Sequence, residues 1–405
     1  MYLIMTMVEK EALDKGFTEI FGGAPTHYFS APGRTEISGN HTDHQRGQVL
    51  AAAVDLDTRA AVRVNGEGVI RVHSEGYKPV TVSLEQLEPV AEEVNTTPAL
   101  VRGVAARFAQ LGCKLQGFDA YVTSTVLPGS GLSSSAAYEV LIGTIINHLF
   151  FDKKATAPQV AQIGQYAENV FFGKPCGLMD QTASSVGGLV SIDFGDKNTP
   201  KIRPVDFDFS KTGYTLCIID SRADHADLTD EYAAITREMK AVSEYFGKEV
   251  LSQVSEEEFY KHIPALRDAC GDRAVMRAIH IYNENRRVPQ QIASLENSDF
   301  ESFLRLEQES GDSSWMYLQN VVPTGSTSSQ AVAIALGLCR KYLQGRGAYR
   351  VHGGGFAGTV QAFVPNDLLE SFREGLDGAL GSGACHLLHI RPEGGVPMMP
   401  AADEI

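Results

Sequence analysis

Apolar and polar residues follow two different periods in the middle of the first half of the chain. Residues 118–126 alternate between apolar and polar side chains, which is typical of a strand with one buried face. Ala137, Leu141 and Ile145 then recur every fourth residue, which gives one apolar face to a helix that ends near residue 150. The pattern predicts a strand that passes through a short connection into a long helix.

The same reasoning predicts the other elements. In the first half we expect strands near 26–31, 57–64, 68–74, 79–83 and 188–194, and helices at 100–111 and 157–170. In the second half we expect helices over most of 229–318 and at 328–343 and 367–380, and strands at 348–352, 359–364 and 385–390. The last five elements follow the order α-β-β-α-β, which is typical of helices on one face of an antiparallel sheet.

Length and charge narrow the classes of fold and partner. The 405 residues are too many for one typical core, so we predict two domains, 1–200 and 201–405. The formal charge of −15 makes nucleic acid and anionic membranes poor partners. No apolar run is long enough to span a membrane, and the first residues do not resemble a signal peptide.

Six scattered cysteines without paired spacing indicate reduced thiols, so we expect a cytoplasmic protein. Cys385, His386 and His389 lack a second pair of ligands, and their spacing fits a strand better than a metal site.

The connection at 127–137 reads Leu-Pro-Gly-Ser-Gly-Leu-Ser-Ser-Ser-Ala-Ala. Glycine lets the backbone approach an anion closely, and the start of the next helix offers unpaired N–H groups and a partial positive charge. The serines add hydroxyl donors and a potential metal ligand. The run is not a Walker A loop, because no lysine follows the glycines. It suits a polyphosphate, although an ordinary strand-to-helix connection has the same general composition.

The segment 31–44, Ala-Pro-Gly-Arg-Thr-Glu-Ile-Ser-Gly-Asn-His-Thr-Asp-His, places a guanidinium, an amide, two imidazoles and carboxylates in what we predict to be one loop. Such a set suits a polyhydroxylated ligand, because each buried hydroxyl needs a donor and an acceptor. A metal site at His41, Asp43 and His44 and a solvated polar turn are the alternatives.

Two more segments carry candidate chemistry. In the loop 173–181, Asp180 either faces a substrate hydroxyl or caps a helix. Upstream, Glu168 on a helix either reaches a metal or is merely solvated. The run 352–358 contains G-x-G-x-x-G, but a strand follows it instead of a helix, which excludes a dinucleotide-binding fingerprint. We expect a glycine-rich corner between two strands, either close to the phosphate site or a simple hairpin.

Together these motifs resemble the galactokinase, homoserine kinase, mevalonate kinase and phosphomevalonate kinase (GHMP) family. The Gly-Leu-Ser-Ser-Ser-Ala run resembles a motif of the whole superfamily. The 33–43 segment, together with Pro-Cys-Gly-Leu-Met-Asp at 175–180, resembles the galactokinase branch in particular. The resemblance extends from about residue 31 to about 390. It implies an α+β fold of two domains, with the active site in the cleft between them.

The resemblance also implies roles for individual residues. Asp180 corresponds to the catalytic carboxylate beside the anomeric hydroxyl, and Arg34 to its charged partner. The implied sugar contacts are Asn40, His41, Asp43, Gly177 and Tyr232. The implied ATP contacts are Gly129, Ser130, Gly131, Leu132, Ser133, Ser134, Ser135 and Ala136. The implied Mg²⁺ ligands are Ser135 and Glu168.

The implied activity is ATP-dependent phosphorylation of the 1-hydroxyl of galactose. Arg34 should lower the pKa of Asp180, which keeps the carboxylate ionised. The signature usually has Asn where this chain has Glu36, Glu where it has Asn40, and Tyr where it has His44. In the family, the Glu at this position contacts the 6-hydroxyl of the sugar. Because this chain has Asn40 instead, the alternative substrate is a hexose altered at carbon 6, such as galacturonate. A catalytically inactive sugar sensor is the alternative from another class. The sequence leaves the oligomeric state open, and a monomer is compatible with it.

Overall fold

The structure is a computed structural model that describes residues 2–126, 131–196, 199–223 and 228–401. Within these ranges the chain forms thirteen strands and twelve α-helices. The strands are β1 (Leu3–Met5), β2 (His27–Ser38), β3 (Gln48–Val64), β4 (Val69–Ser74), β5 (Val80–Ser83), β6 (Phe118–Ser124), β7 (Leu189–Asp193), β8 (Lys201–Val205), β9 (Tyr214–Asp220), β10 (Ala348–His352), β11 (Thr359–Pro365), β12 (Cys385–Leu388) and β13 (Val396–Pro400). The helices are α1 (Met7–Phe21), α2 (Thr97–Gln110), α3 (Ser134–Phe150), α4 (Ala157–Tyr166), α5 (Met179–Val186), α6 (Thr229–Tyr245), α7 (Glu256–Lys261), α8 (Ile263–Cys270), α9 (Asp272–Glu296), α10 (Phe300–Ser313), α11 (Ala331–Leu343) and α12 (Leu369–Leu380).

The first domain is built on a nine-stranded sheet. Seven strands follow the order β1-β13-β2-β3-β6-β4-β5, while β7 pairs with β3 and β8 pairs with β7. The inward-facing residues of β2 to β6 share one core with α2, α3 and α4, in which Phe108, Phe118 and Ile145 are fully enclosed. This core explains the apolar face predicted for α3, because Leu141 and Ile145 lie in it.

The second domain contains a four-stranded antiparallel sheet in the order β10-β11-β9-β12. Buried residues of α11 and α12, among them Cys339 and Phe372, pack against this sheet. The order α11, β10, β11, α12, β12 confirms the predicted α-β-β-α-β tail, and α6 to α10 confirm the predicted helical region.

A third core joins the two sheets. It combines residues of β2, β3 and the start of α3 with residues of β9, α9, α10 and β11, including Leu50, Leu216, Val288 and Phe303. Because this shared core holds β2 and α3 against the second domain, residues from both halves of the chain meet beside it.

Two elements at the ends of the chain had no clear signal in the sequence. Helix α1 begins with a capping box, in which Thr6 and Glu9 bond each other's backbone N–H groups. Strand β13 returns to the first sheet, where it pairs with β1 and β2. Because β8 and β13 both belong to that sheet, sheet membership does not change at residue 200. The domain boundaries remain a prediction, and the strands favour a division after Val205 with the last strand assigned to the first half.

Two further features belong to the residues that the structure describes. None of the helices is both long and apolar enough to cross a membrane. All six cysteines are free thiols.

Candidate active site

Arg34 and Asp180 form a bidentate ion pair between β2 and α5. Arg34 Nε and Nη2 donate to Asp180 Oδ1 and Oδ2 at 2.8 and 2.9 Å. Asp180 Oδ2 also accepts a hydrogen bond of 2.7 Å from the hydroxyl of Ser133. The Arg34 side chain is only 12% exposed, whereas that of Asp180 is 31% exposed. The carboxylate is therefore fixed from one side and open from the other, where a substrate hydroxyl can approach it.

The surroundings of Asp180 favour its ionised form. Burial by itself would raise its pKa, but the charge of Arg34, the hydrogen bonds from that guanidinium and the Ser133 hydroxyl together hold the pKa below the usual value of an aspartate. The predicted effect of Arg34 on Asp180 is confirmed. Asp180 lies in the first turn of α5, while Leu178 occupies the cap position, so the capping alternative is wrong.

Backbone contacts bring these elements together. The N–H of Arg34 donates to the carbonyl of Leu132 at 3.0 Å, which joins β2 to the turn before α3. The hydroxyl of Ser184 on α5 donates to the carbonyl of Pro32 at 2.7 Å. The pairing of β2 with β3 shifts register between Pro32 and Arg34, and such a bulge changes the direction of the following side chain. The predicted loop at 31–44 is wrong in its first half, because Arg34 belongs to a strand.

The turn before α3 lies against the glycine-rich corner between β10 and β11. A Cβ at Gly131, where φ is +74°, would lie 3.0 Å from Thr359 Oγ1 and 3.1 Å from His352 Nδ1. The carbonyl of Gly131 also accepts a hydrogen bond from Arg34 Nη1. The predicted corner is therefore present beside the start of α3, and a side chain at Gly131 would be tightly packed against it.

The predicted ATP contacts differ in what they can offer a ligand. Gly129 and Ser130 lie outside the described residues. Leu132 and Ala136 are buried, so their side chains belong to the core. Ser134 and Ser135 line a cavity of about 250 Å³, together with Leu100, Phe172 and the aromatic residues Tyr77 and Tyr138.

Three residues with predicted sugar contacts donate instead to the glycine turn at 353–355. The amide of Asn40 donates to carbonyl 353 at 2.7 Å, His41 Nε2 to carbonyl 354 at 3.2 Å, and the Tyr232 hydroxyl to carbonyl 355 at 2.9 Å. The turn requires glycine, because a Cβ at Gly355 would lie 2.0 Å from the carbonyl oxygen of Asn320. The turn thus connects the 31–44 segment with the second domain.

The side chain of Asn40 is buried and hydrogen-bonded to other groups of the protein. Its exposed fraction is 0%. Its Nδ2 donates to Glu36 Oε1 at 3.1 Å as well as to carbonyl 353, and its Oδ1 accepts from Asn320 Nδ2 at 3.0 Å. Both polar atoms of this side chain are therefore bonded within the protein, and burial separates them from a sugar. The sugar contact of Asn40 remains a prediction that this arrangement does not support.

Glu36 is a buried, charged partner of Asn40. Burial by itself would raise its pKa, but the charge of Arg350, whose Nη2 lies 3.1 Å from Glu36 Oε1, acts together with His352, the hydrogen bond from Asn40 and His41 to lower it. Arg350 is itself fully buried and bonds Glu307 at 2.7 Å. No motif pointed to Arg350 or Asn320, because the contacts that join them to Glu36 and Asn40 cross more than 270 residues of the chain.

Asp43 and Gly177 lie next to each other. A Cβ at Gly177 would lie 3.3 Å from Asp43 Oδ2, so the glycine keeps the space beside this carboxylate free. Both residues border a cavity of about 630 Å³ that is also lined by Gln162 and Tyr166. Burial, followed by the charge of neighbouring His44, lowers the pKa of His41 to about 4, so that its imidazole is neutral at pH 7.

Of the two predicted metal ligands, Glu168 contacts the side-chain amide of Gln181 directly, and Ser135 lies one turn from another residue that contacts it. Glu168 lies in the π-helical turn Ala167–Phe172 after α4, where Oε2 accepts from Gln181 Nε2 at 2.9 Å and Oε1 lies 3.4 Å from Lys174 Nζ. Ser135 is on α3, one turn before Glu139, whose Oε2 accepts from the same Gln181 nitrogen at 3.0 Å.

Hydroxyl and carboxylate oxygens are the donors that Mg²⁺ prefers, so this set fits the metal. In the part of the chain that the structure describes, no group of three or more His, Cys, Asp or Glu residues could hold a metal by itself. Phosphate and water oxygens would therefore have to complete the coordination. Burial, followed by the charge of Glu168, raises the pKa of Glu139 well above its ordinary value.

Known proteins share both the sequence motifs and this fold. The model of the galactokinase galactose-binding signature matches residues 15–64, which carry Arg34, His41 and Asp43. The model of the GHMP kinase N-terminal domain matches residues 99–188, which carry Glu168 and Asp180. A galactokinase of Glaesserella parasuis is 31% identical over 360 residues, which cover 88% of this chain and 90% of that protein. The chain belongs to the galactokinase family.

A second relative from that family, a galactokinase of Streptomyces coelicolor, is 32% identical over 70% of this chain and 72% of its own. The crystal structure of Lactococcus lactis galactokinase complexed with galactose has a TM-score of 0.78 at 24% identity, and the match covers 95% of this chain and 99% of that one. The L. major mevalonate kinase in complex with R-mevalonate has a TM-score of 0.60 at 16% identity, over 91% and 97% of the two chains. These solved structures establish the two-domain GHMP kinase fold for this member of the galactokinase family.

Proposed function

We propose that this protein is an ATP-dependent kinase that transfers a phosphoryl group to the 1-hydroxyl of galactose, giving galactose 1-phosphate and ADP. The observation that carries the proposal is the cluster of Arg34, Ser133 and Asp180 at the start of α3. It places an ionised, partly open carboxylate beside a helix N-terminus, in a chain that belongs to the galactokinase family.

Asp180 is the group proposed to act on the acceptor hydroxyl. Phosphoryl transfer depends mainly on positioning the two reactants and on neutralising the charge of the moving group. A carboxylate whose pKa is lowered is a weak base, so its role is to orient the hydroxyl and to accept its proton late in the transfer. Arg34 holds both carboxylate oxygens and thereby sets the direction in which the free side of Asp180 points.

ATP is proposed to bind at the first turn of α3. The N-terminus of this helix offers N–H groups and the positive end of its dipole to the phosphates. The cavity of about 250 Å³ that begins at Ser134 and Ser135 is lined by Leu100, Tyr77 and Tyr138, which suits the apolar base of a nucleoside. Mg²⁺ would supply charge neutralisation at the phosphates, and Ser135 and Glu168 are the residues that would hold it.

The sugar is proposed to lie between Asp180 and the 353–355 turn. Asp43 offers a carboxylate that Gly177 leaves uncovered. His41 is neutral and donates through Nε2 to carbonyl 354, so its Nδ1 is available as an acceptor. The ring of Tyr232 packs against Gly354, where it can border the sugar while its hydroxyl stays on the turn.

A screen of hexoses for ADP release, with and without Mg²⁺, tests the proposal. We expect galactose to give the highest kcat/KM and ³¹P NMR of the product to show a phosphate ester at carbon 1. Asp180→Asn keeps the shape of the side chain but not its charge, so we expect turnover to fall by about 10²–10⁴-fold while binding of both substrates persists. Turnover of galacturonate in place of galactose, or binding of both ligands without turnover by the natural chain, would contradict the proposal and favour one of the two alternatives from the sequence.

We also propose a cytoplasmic location, which the unpaired spacing of the six cysteines supports. Fractionation of the source cells tests the location, and sedimentation of the purified protein tests whether it is a monomer.

A further inference from the structure

The side-chain amide of Gln181 lies between two buried carboxylates. Its Nε2 donates to Glu168 Oε2 at 2.9 Å and to Glu139 Oε2 at 3.0 Å. The exposed fractions of Gln181, Glu139 and Glu168 are 0%, 1% and 4%. An amide nitrogen carries two hydrogens, so each carboxylate receives one of them.

The three side chains come from different elements of the fold. Glu139 is on α3, one turn after Ser135, and Glu168 is on the turn that follows α4. Gln181 follows Asp180 directly on α5. A single amide therefore connects the three elements that carry both proposed metal ligands and the proposed catalytic carboxylate.

The packing around the amide leaves it little freedom. A Cβ at Gly164 of α4 would lie 3.1 Å from Glu139 Oε2 and 3.2 Å from Gln181 Cγ, so the glycine makes room for this contact. The thiol of Cys176 lies 3.7 Å from Gln181 Nε2 on another side. Rotation of the amide would remove the buried donor from the Glu168 oxygen that it now bonds, which is unfavourable in a buried site.

The two oxygens of Glu168 differ in their partners. Oε2 is held by the buried amide, whereas Oε1 faces Lys174, which is 62% exposed and lies 3.4 Å away. A cationic group thus already lies beside the second oxygen of this buried carboxylate, and an exposed lysine side chain can move away at little cost.

We propose that Gln181 is a positioning residue that fixes Glu168 with Oε1 directed at the divalent cation of the ATP complex, at a set distance from Asp180. This inference rests on the proposed kinase function. Removing a group that orients a metal ligand typically weakens metal binding by about 10–100-fold.

Binding of Mn²⁺ to the enzyme with a non-hydrolysable ATP analogue, followed by EPR without sugar, tests the proposal. Gln181→Met keeps the length of the side chain but removes both donors, so we expect the Kd for Mn²⁺ to rise about 10–100-fold. Glu168→Gln should give a rise of similar size. The control is Thr182→Val, at a neighbouring position that is 0% exposed and whose hydroxyl has no partner among the described residues. It should leave the Kd unchanged.

Kinetics then separate positioning from general damage. In Gln181→Met, the Mg²⁺ concentration for half-maximal rate should rise in parallel with the Kd for Mn²⁺, while the KM for galactose stays within about threefold. A folded Gln181→Met protein with natural Mn²⁺ binding would overturn the inference, and so would an equal loss of affinity for galactose and metal. If this variant does not fold, Gln181→Glu replaces the donor with an acceptor at nearly the same volume and carries the same expectations.

Because the EPR measurement uses no sugar and no turnover, its outcome is independent of the acceptor. Failure of the natural chain to phosphorylate any hexose would refute the proposed function. Unchanged Mn²⁺ binding in a folded variant refutes only the role of Gln181.

Discussion

Exchanging the residues at 36 and 40, singly and together, measures how strongly this buried pair acts as a unit. The variants are Glu36→Asn, Asn40→Glu and the double variant that carries both. The natural pair joins an ionised carboxylate to an amide donor in a site where both side chains are almost fully enclosed. We expect each single exchange to destabilise the protein and the double exchange to recover part of the loss.

The contacts of each side chain give the magnitudes. Asn40→Glu removes hydrogen bonds to a charged and a neutral acceptor, worth about 1.5–3 and about 0.5–1.5 kcal/mol. It also sets a second carboxyl group against Glu36, so that the new group gains a proton instead of a partner. We expect the free energy of unfolding to fall by about 2–4 kcal/mol. Glu36→Asn should cost about 1.5–3 kcal/mol, because Arg350 loses one carboxylate but keeps Glu307.

The double variant restores an amide facing a carboxylate, and Asn320 Nδ2 can then donate to the new Glu at position 40. Its loss should be smaller than the sum of the single losses by at least about 1.5 kcal/mol, within the range found for side chains in direct contact. Urea unfolding of the four proteins, followed by circular dichroism, gives this coupling energy. Losses that add within about 0.5 kcal/mol would refute the reasoning, since that is the behaviour of independent sites.

The same proteins test the position of Asn40 relative to the sugar. Because this amide is fully buried and both of its polar atoms are bonded within the protein, the ratio of kcat/KM for galactose and 6-deoxygalactose should be the same in the natural chain and in the double variant. A sharper preference for galactose in the double variant would instead place position 40 at carbon 6, as the family resemblance implies.

Two more substitutions act on the cluster at the start of α3. Ser133→Ala removes a hydrogen bond that lowers the pKa of Asp180, so the acidic limb of the pH profile of kcat/KM should lie at higher pH than in the natural chain. An unmoved limb would show that this hydroxyl does not act on the carboxylate. Gly131→Ala forces a residue with a side chain into a left-handed conformation, at a cost of about 1–2 kcal/mol, and places its Cβ 3.0 Å from Thr359 Oγ1. Initial rates of this variant should show a KM for ATP that is raised several-fold and a nearly constant KM for galactose. The control is Gly337→Ala, at a helical position where a Cβ would meet nothing within 4 Å. Equal KM values for ATP in the natural chain and both variants would show that this turn is not part of the phosphate site.

Local patterns were reliable where the physical cause is itself local. The period of apolar residues predicted α3 and the α-β-β-α-β tail, because burial of one face imposes that period on a helix or a strand. The pattern after 352–358 predicted a strand, which the structure has at Thr359–Pro365, and this strand excludes a dinucleotide-binding fingerprint because that motif opens a helix. Density of polar groups was a poorer guide: the 33–38 segment forms a strand, because pairing with β3 satisfies its backbone groups.

The sequence by itself determined the family, the order of most elements and the chemical groups of the site, since each is recorded in residue types and short spacings. Only the tertiary structure decided how these groups are used. Arg34 meets Asp180 across 146 residues, and Asn40 meets Asn320 across 280. Whether a polar side chain faces a ligand or satisfies another buried group depends on such distant partners. For that reason Asp180 remains open to a substrate, whereas Asn40, which was also predicted as a site residue, bonds other buried groups of the protein.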